Sequence, residues 1–363
     1  MPVQTTSQPD LEALTPRRVC LIKPSALGDV TNAFATLSAL RRRWPEATIT
    51  WVVNASLRGL VEGHPEIDQV IQYDRAGIKP NPSGVRKFWA FLRSLRSERF
   101  DLAIDLQGLL RSGLMTAATG APVRVGLADA REGASWFYTN RVVPPGSHDE
   151  AHAVDRMLAV AAAFGADVGC PTFTVAVDSS AADWARSIMA DLPRPRLAVN
   201  LGARWETKRW PPEHFAELAR RASATRGARL VALGAPEDRP FVEEFIRRVD
   251  PIPVLDLCGR LTLPTLAAVC REVDVVLSND TGPLHLASAA GVRVVGVYTC
   301  TSPALNGPYG PRALAVQTGV WCKGSYRVTC GRLECMAELT PDRVWPLVES
   351  QLDASARSAN SAA

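Results

Sequence analysis

The chain has 363 residues, of which 47% are hydrophobic and 21% charged, and its formal net charge at pH 7 is +4. This composition is typical of a soluble globular protein, and so small a charge permits anionic ligands without indicating a nucleic-acid-binding protein. No apolar run reaches the roughly 20 residues of a membrane-spanning helix, and the first residues lack the apolar segment of a signal peptide. We therefore expect a cytoplasmic protein, and the length favours two domains.

Short β-branched segments alternate with longer amphipathic ones, a pattern typical of βαβ units and parallel sheets. The first series of strands reads RVCLI, TITWVV, QVIQY and LAIDL, and the second reads RLAVNLGA, RLVALG, VLDLC, VDVVLSND and VRVVGVY. The pattern predicts an α/β fold with two Rossmann-like, doubly wound domains. If the two domains face one another, a cleft between them is the expected ligand site, because such folds bind ligands at the carboxyl ends of their strands.

Composition also predicts where the domains begin and end. We expect residues 1–16 to be disordered, 17–175 to form the first domain, 176–340 the second, 341–352 a C-terminal helix, and 353–363 a disordered tail. A stretch rich in Pro and small residues, near 170–180, marks the domain boundary. Thr340 followed by Pro341 is a start signal for the final helix.

The first βα turn reads IKPSALGDV and contains a carboxylate at the start of a helix. Neither half of the chain has the glycine-rich dinucleotide fingerprint or the P-loop motif, so ordinary binding of dinucleotides or P-loop phosphates is disfavoured. Gly28 allows close backbone approach at this turn. Asp29 is either the cap of the helix or a carboxylate placed to take a proton from a hydroxyl.

The corresponding turn of the second half, NLGARWETKRWPPEHF, is basic. Arg204, Lys208 and Arg209 precede a helix whose free N–H groups favour an anion. Cations at the N-terminus of a helix interact unfavourably with its dipole, and a bound phosphate would offset that cost. The alternative is a basic turn exposed to solvent.

The stretch SNDTGPLHLASAAG, residues 278–291, joins a hydrophobic strand to an apolar helix. Asp280 and Thr281 could simply cap that helix. Alternatively, the first N–H groups after Gly282, the Thr281 hydroxyl and His285 could hold a diphosphate. The same His285 could equally be a satisfied structural residue.

Three further features leave alternatives open. Cysteines 20, 258, 270 and 300 fall in or beside apolar segments and are expected to be buried thiols. Cysteines 322, 330 and 335 lie close together in a loop-like region, where a metal site or redox pair, with the cysteine at 300 as a fourth member, is the alternative to free thiols.

The motif HDEAH has Asp149 where a zincin requires Glu, so no zinc site is predicted there. The helix RKFWAFLRSLRSERF either packs its aromatic residues on a sheet or docks an anionic lipid head group.

In this order, the motifs of the chain resemble glycosyltransferase family 9, the ADP-heptose:lipopolysaccharide heptosyltransferases. The resemblance spans the chain from about Arg18 to Leu352, and it rests on KPSALGDV, DLQGLLRS, GLADAREGASWFY, HAVDR, GARWETKRWP, LGAPED and NDTGPLHLASAAG. AREGASWFY and HAVDR most resemble the heptosyltransferase I branch.

The resemblance implies a GT-B fold and an inverting, metal-independent transfer with no cofactor. The donor would be ADP-L-glycero-β-D-manno-heptose and the acceptor a hydroxyl of a lipopolysaccharide inner core of the Kdo-lipid A type. Asp29 would be the general base and Lys208 would neutralise the departing diphosphate. The first domain would bind the acceptor through Gly28 and Arg131, and the second would bind the donor through Arg204, Asp238, Asp280, Thr281, Gly282 and His285.

The sequence departs from the heptosyltransferase I pattern at several places. Arg204 and Trp205 replace a Thr pair, Asp238 replaces a longer Glu, residues 75–99 differ, and residues 322–335 are closer to heptosyltransferase II. The alternatives are therefore the same fold with another nucleotide-sugar donor or cell-surface glycan acceptor, or a catalytically silent nucleotide-sugar-binding protein. Expected partners are the donor, a lipid-linked anionic glycan and the cytoplasmic face of the inner membrane, but no nucleic acid; the chain is expected to be monomeric.

Overall fold

The computed structural model of the chain describes residues 10–75 and 81–360. It divides into two compact units, the first ending at Ala176 and the second beginning at Val177. Each unit is built around one parallel sheet. No helix in the described ranges is long and apolar enough to cross a membrane.

The sheet of the first unit has six strands in the order β3-β2-β1-β4-β5-β6. The central strands are buried, which accounts for their runs of Val, Ile and Leu. The strands are β1 Arg18–Ile22, β2 Thr48–Asn54, β3 Gln69–Tyr73, β4 Leu102–Asp105, β5 Val123–Leu127 and β6 Asn140–Val142.

Helices connect these strands and cover the sheet. Asn81 caps the long helix α4 by accepting a hydrogen bond from the Gly84 N–H at 2.8 Å, and Pro82 is its first residue. The helices are α1 Leu27–Asn32, α2 Phe34–Arg43, α3 Arg58–Val61, α4 Pro82–Ser97, α5 Leu110–Thr119 and α6 Ala153–Ala162, with 3-10 turns at Ala55–Leu57 and Ala134–Phe137.

The second unit repeats the plan with six strands in the order β12-β11-β10-β7-β8-β9. The strands are β7 Arg196–Asn200, β8 Arg229–Leu233, β9 Val254–Asp256, β10 Val275–Asn279, β11 Arg293–Tyr298 and β12 Ala313–Gln317. The helices are α7 Ser179–Met189, α8 Pro212–Arg226, α9 Arg239–Val249, α10 Leu263–Glu272, α11 Gly282–Ala289, α12 Pro303–Asn306, α13 Glu334–Glu338 and α14 Pro341–Asn360, with 3-10 turns at Glu206–Lys208 and Pro236–Asp238.

Each sheet has a point at which the strand order reverses. In the first unit β1 pairs with both β2 and β4, and in the second β7 pairs with both β8 and β10. A crevice opens there outside the carboxyl ends of the two central strands, and doubly wound folds bind their ligands in it. The loops that follow β1, β4, β7 and β10 are therefore where functional side chains are expected.

The chain termini differ from the prediction of disorder. Residues 10–16 make defined contacts, since the Trp44 indole N–H donates to the Leu14 carbonyl at 3.1 Å. Helix α14 continues to Asn360 rather than ending at 352, because Arg226 contacts Asp353 at 2.6 Å. The remaining predicted disordered residues, 1–9 and 361–363, lie outside the described residues.

Candidate functional site

The loop after β1 carries Asp29 and is held by the neighbouring strands. Lys23 is buried, and its Nζ donates to the Leu106 carbonyl at 3.0 Å. Asp29 lies in the first turn of α1, directly after Gly28, and one of its carboxylate oxygens accepts from the Ala26 N–H at 3.1 Å. The N-cap residue is Ala26, so Asp29 is not the cap residue itself; its carboxylate bonds back to the start of the helix from the third helical position. Its role as a general base, and a role for Gly28 toward the acceptor, remain predictions.

A buried carboxylate at the end of β4 organises the adjacent loop. Asp105 accepts hydrogen bonds from the backbone N–H groups of Gln107 and Gly108, at 2.8 and 3.0 Å, and from the Tyr138 hydroxyl at 2.7 Å. Burial raises the pKa of Asp105, and these three donors oppose that rise by stabilising the charged form. A Cβ on Gly126 would lie 2.4 Å from the Tyr138 ring, so a glycine is needed for that ring to reach Asp105.

Arg131 lies in a loop tied to this network. Its backbone N–H donates to the Gly108 carbonyl at 2.9 Å, while its side chain is exposed. The same loop is anchored at Asp129, whose carboxylate accepts from the largely buried Arg156 guanidinium at 2.6 Å. The structure therefore brings Arg131 next to the loop that Asp105 organises.

A cavity of about 200 Å³ opens at this switch point of the first sheet. Arg75 and Arg111 bring positive charge to its lining, and Arg111 lies 5.9 Å from the centre of the Tyr73 ring. The cavity suits a polar, anionic ligand. Its other polar lining residues are Ser25, Asn54, Gln107, Ser112 and Glu132.

Asp280 is the centre of a charged cluster at the switch point of the second sheet. Its carboxylate lies 2.6 Å from the Lys208 ammonium, accepts from the Thr301 hydroxyl at 2.6 Å, and is 3.7 Å from His285 Nε2. Burial alone would raise the pKa of Asp280, but the contacts with His285, Lys208 and Thr301 outweigh it and hold the pKa well below its ordinary value. These partners of Asp280 are side chains rather than backbone N–H groups of α11. The interpretation of Asp280 as a cap of that helix is therefore wrong.

Helix α11 begins directly after this carboxylate. Thr281 occupies the capping position, yet among the described residues its side chain caps no backbone N–H of the helix. Its hydroxyl instead accepts from the Asn200 side chain at 3.0 Å. The helix starts at Gly282 and Pro283, so its first turn presents the N–H groups and partial positive charge that favour an anion.

His285 is largely buried one turn into α11. Its Nδ1 atom has no hydrogen-bond partner within the described part of the chain. An unsatisfied buried polar atom costs about 1–3 kcal/mol, which is easier to explain where a ligand completes the bond. This favours a ligand-binding role for His285 over a fully satisfied structural one, and that role stays a prediction.

Lys208 is positioned by the 3-10 turn that precedes α8. Thr207, inside the turn, donates to the Arg327 carbonyl at 2.6 Å, and the Lys208 ammonium lies 4.6 Å from the centre of the Trp205 ring. The hydrogen bond ties the turn to the loop that contains Arg327, and it thereby holds Lys208 close to Asp280. The predicted solvated basic turn is thus wrong for Lys208, although it describes Arg204, whose side chain is exposed.

Asp238 and Arg209 contact the loop after β7. Asp238 accepts from the Ala235 N–H at 2.9 Å, and a Cβ on Gly202 would lie 2.0 Å from its carboxylate, so Gly202 admits the acid. Partial burial raises the pKa of Asp238. Arg209 stacks 5.1 Å from the Phe241 ring and donates to the Ala203 carbonyl at 2.8 Å. A donor-binding role for Asp238 or Arg204 stays a prediction.

The eight cysteines are all free thiols. Within the described ranges no three His, Cys, Asp or Glu side chains are grouped so as to hold a metal ion. The backbone N–H of Cys330 donates to Glu206 at 3.0 Å, so the cysteine-containing loop packs on the turn that carries Lys208.

Several residues of the two clusters were not predicted. Asn279 joins β10 to the loop after β7, accepting from the Trp210 N–H at 3.0 Å and donating to the Leu201 carbonyl at 2.8 Å. Asp105 had a signal, since an acid as the last residue of the buried strand LAID is unusual. Tyr138 was marked only by its place in the motif AREGASWFY and Thr301 by no signal, because only the fold brings them to a carboxylate.

Comparison with known proteins places the chain in a family. The model of glycosyltransferase family 9 (heptosyltransferase) matches residues 88–335. The lipopolysaccharide core heptosyltransferase OpsX of Haemophilus influenzae is 27% identical over 297 residues, covering 81% of this chain and 82% of that protein. Lipopolysaccharide heptosyltransferase 1 of Pseudomonas aeruginosa is 28% identical over 328 residues, covering 86% of this chain and 87% of that protein.

Solved structures give the same answer for the fold. The E. coli heptosyltransferase WaaC with ADP superposes with a TM-score of 0.73 at 25% identity, covering 92% of this chain and 99% of that one. A glycosyltransferase family 9 structure from Veillonella parvula has a TM-score of 0.79 at 22% identity, covering 95% and 99%. The predicted α/β fold of the GT-B type is confirmed, and the chain belongs to glycosyltransferase family 9 (heptosyltransferase).

Proposed function

We propose that this enzyme transfers heptose from ADP-L-glycero-β-D-manno-heptose to a hydroxyl of a lipopolysaccharide inner-core acceptor of the Kdo-lipid A type. The named relatives are lipopolysaccharide heptosyltransferases, and one structural relative was solved with ADP. The observation that carries the proposal is the cluster of Lys208, Asp280 and His285 at the start of α11. It combines a cation, a buried imidazole nitrogen with no partner in the described part of the chain, and a helix N-terminus, which are groups that bind a diphosphate.

The second unit binds the donor in this proposal. Lys208 exchanges its contact with Asp280 for the diphosphate, and His285 Nδ1 donates to a phosphate oxygen. The N–H groups after Gly282 bind the same anion. Asp238, beside the loop after β7, accepts from a ribose hydroxyl, and Arg204 reaches a phosphate from the exposed edge.

The first unit binds the acceptor. Arg75 and Arg111 line its cavity, and they provide the charge needed for a carboxylate-bearing sugar. Arg131 contributes to the same anion from the neighbouring loop. Gly28 lets the acceptor approach the backbone beside Asp29.

The reaction we propose is a direct displacement with inversion. Asp29 takes the proton of the acceptor hydroxyl while the oxygen attacks the anomeric carbon, and the bond from that carbon to the diphosphate oxygen breaks. The electron pair leaves with ADP, whose developing charge Lys208 and His285 stabilise. These groups make the transfer independent of a metal ion.

The donor is tested by thermal unfolding in the presence of ADP-, UDP-, GDP- and dTDP-sugars. A ligand that binds only the folded state adds about 2.7 kcal/mol of stability at a hundredfold excess over Kd. This added stability raises the unfolding midpoint. We expect ADP-heptose to raise the midpoint most, with or without a metal chelator. A larger shift with a non-adenine nucleotide would overturn the donor assignment, and loss of the shift on chelation would overturn metal independence.

A further inference from the structure

We propose that the exposed side of α4 is a docking surface for an anionic phospholipid membrane. The α4 surface is defined by Val85, Arg86, Trp89 and Arg93. Trp89 is 57% exposed and Val85 49% exposed, although both belong to a helix that already contributes to a core. A single exposed aromatic residue is not unusual, but here it lies on one helix face among basic side chains that are unpaired in the described part of the chain.

The core uses another side of the same helix. Leu92 and Leu95 are buried, and the rings of Phe88 and Phe91 lie 6.2 and 5.3 Å from the Tyr73 ring. The aromatic residues that hold α4 on the sheet are therefore accounted for. Trp89 is left outside this packing.

Helical spacing groups the residues of the α4 surface. Val85, Trp89 and Arg93 follow one another at intervals of four and so form one row along the helix, while Arg86 precedes Trp89 by three and flanks it. Arg86, Lys87 and Arg93 are exposed, and within the described ranges none of them forms an ion pair. By contrast, exposed arginines 247 and 248 on α9 both pair with Glu244.

This combination fits an anionic lipid surface. The amphipathic indole of Trp is favoured at the boundary between head groups and acyl chains, and unpaired Arg and Lys bind the anionic head groups. Each basic residue close to an anionic leaflet strengthens binding about fivefold. A net charge of only +4 makes a nucleic acid the weaker candidate for the partner.

Neighbouring elements of the first unit also carry exposed apolar side chains. Helix α4 packs against α5, and α5 packs against the 3-10 turn Ala134–Phe137. Leu110, the first residue of α5, is 45% exposed, and Trp136 in the turn is 81% exposed. The first unit therefore offers further side chains for shallow insertion. The inference does not rest on the proposed donor or acceptor.

Sedimentation with lipid vesicles tests the docking surface. We expect the full chain to bind vesicles of equal parts phosphatidylcholine and phosphatidylglycerol, to bind pure phosphatidylcholine vesicles much less, and to lose binding as salt is raised. The double variant Arg86→Glu with Arg93→Glu should lower the partition coefficient on the order of tenfold or more. Trp89→Ala should weaken binding to the mixed vesicles severalfold.

Matched controls lie in the second unit. Trp321 is 75% exposed, and Arg186 is exposed beside Asp183, so Trp321→Ala repeats the tryptophan change elsewhere and Arg186→Glu repeats one of the two charge reversals. Both should bind mixed vesicles like the parent chain. The α4 variants should also keep the parent's circular dichroism and its thermal shift with ADP-heptose, which separates loss of docking from misfolding and from failure of the proposed donor.

Three outcomes would overturn the proposal. The first is no binding of the parent chain to mixed vesicles. The second is an equal loss of binding in the α4 variants and in their controls. The third is that the chain binds a nucleic acid through Arg86 and Arg93 but does not bind the vesicles.

Discussion

The contact between Lys208 and Asp280 is the clearest functional feature at the level of single residues. Their charged atoms lie 2.6 Å apart, and both side chains are largely buried. Each residue was predicted to lie in a candidate turn, but their ion pair was not predicted. The pair depends on how the loops after β7 and β10 meet in the fold. The basic turn and the Asp-Thr-Gly turn thus become one site.

Asp280→Asn tests the electrostatics of this pair. Removing one partner of a buried pair costs about 3–5 kcal/mol because the other charge is left uncompensated. The folded pKa of Asp280 is below its ordinary value of about 3.9, so its stabilising contribution is fully present above that pH and is lost as the pH falls toward the folded pKa.

The measurement is the free energy of unfolding from urea titrations at neutral pH and near pH 3. We expect the parent chain to be more stable than Asp280→Asn at neutral pH and the difference to shrink in acid. An exposed control, Asp342→Asn, should change stability by less than about 1 kcal/mol, since its pair with Arg221 is at the surface. A difference for Asp280→Asn that is the same at both pH values would contradict this account.

At the level of elements, the ends of the strands position the functional loops. Asp105, at the end of β4, holds the next loop through Gln107 and Gly108, and Gly108 in turn accepts from the Arg131 N–H. One carboxylate thus orders two loops, the second of which carries Arg131. Its partner Tyr138 lies in the segment AREGASWFY, which the sequence marked only by resemblance.

Tyr138→Phe tests this positioning role. Loss of a hydrogen bond to a charged group costs about 1.5–3 kcal/mol, so we expect lower stability of that order. We also expect the acceptor KM to rise severalfold, while donor affinity, which we assign to the second unit, stays unchanged. Steady-state kinetics with each substrate varied separate the two effects.

Tyr326→Phe is the matched control. It also removes a hydrogen-bonded hydroxyl, since the Asn306 side chain donates to it at 2.7 Å, but it lies in the second unit. The acceptor KM should not change in this control. Equal changes in the acceptor and donor constants of Tyr138→Phe would show that the hydroxyl acts only on overall stability.

Regular elements were predictable where burial leaves a pattern in the sequence. Strands β1, β2, β7 and β10 are buried and β-branched, and each was predicted. Strands β5, β6 and β12 were missed. Arg124 interrupts the apolar run of β5, β6 is an edge strand of only three residues, and β12 is only half-buried. Helix α7 was missed because its start follows a segment rich in Pro and small residues, yet Asp178 caps it at 2.8 Å.

At the level of the whole molecule, one rule of doubly wound sheets locates both clusters. Each unit places its polar residues at the reversal of its own strand order, Asp29 and Asp105 in the first, Lys208 and Asp280 in the second. The fold was predictable from periodicity, and the site from turns at strand ends. The partners of each carboxylate were not, because distant segments supply them.

The proposed reaction requires a base from the first unit and charge stabilisation from the second. The central claim is that Asp29 is the base. Its carboxylate also caps α1, so Asp29→Asn, which keeps an oxygen acceptor for the Ala26 N–H, separates catalysis from helix stability.

The most direct test is the rate of heptose transfer from saturating ADP-heptose in a single turnover. We expect Asp29→Asn to fall at least about a hundredfold below the parent chain, as loss of a general base does, with donor Kd and unfolding midpoint nearly unchanged. A transfer rate equal to that of the parent chain would contradict the assignment of Asp29 and the mechanism built on it.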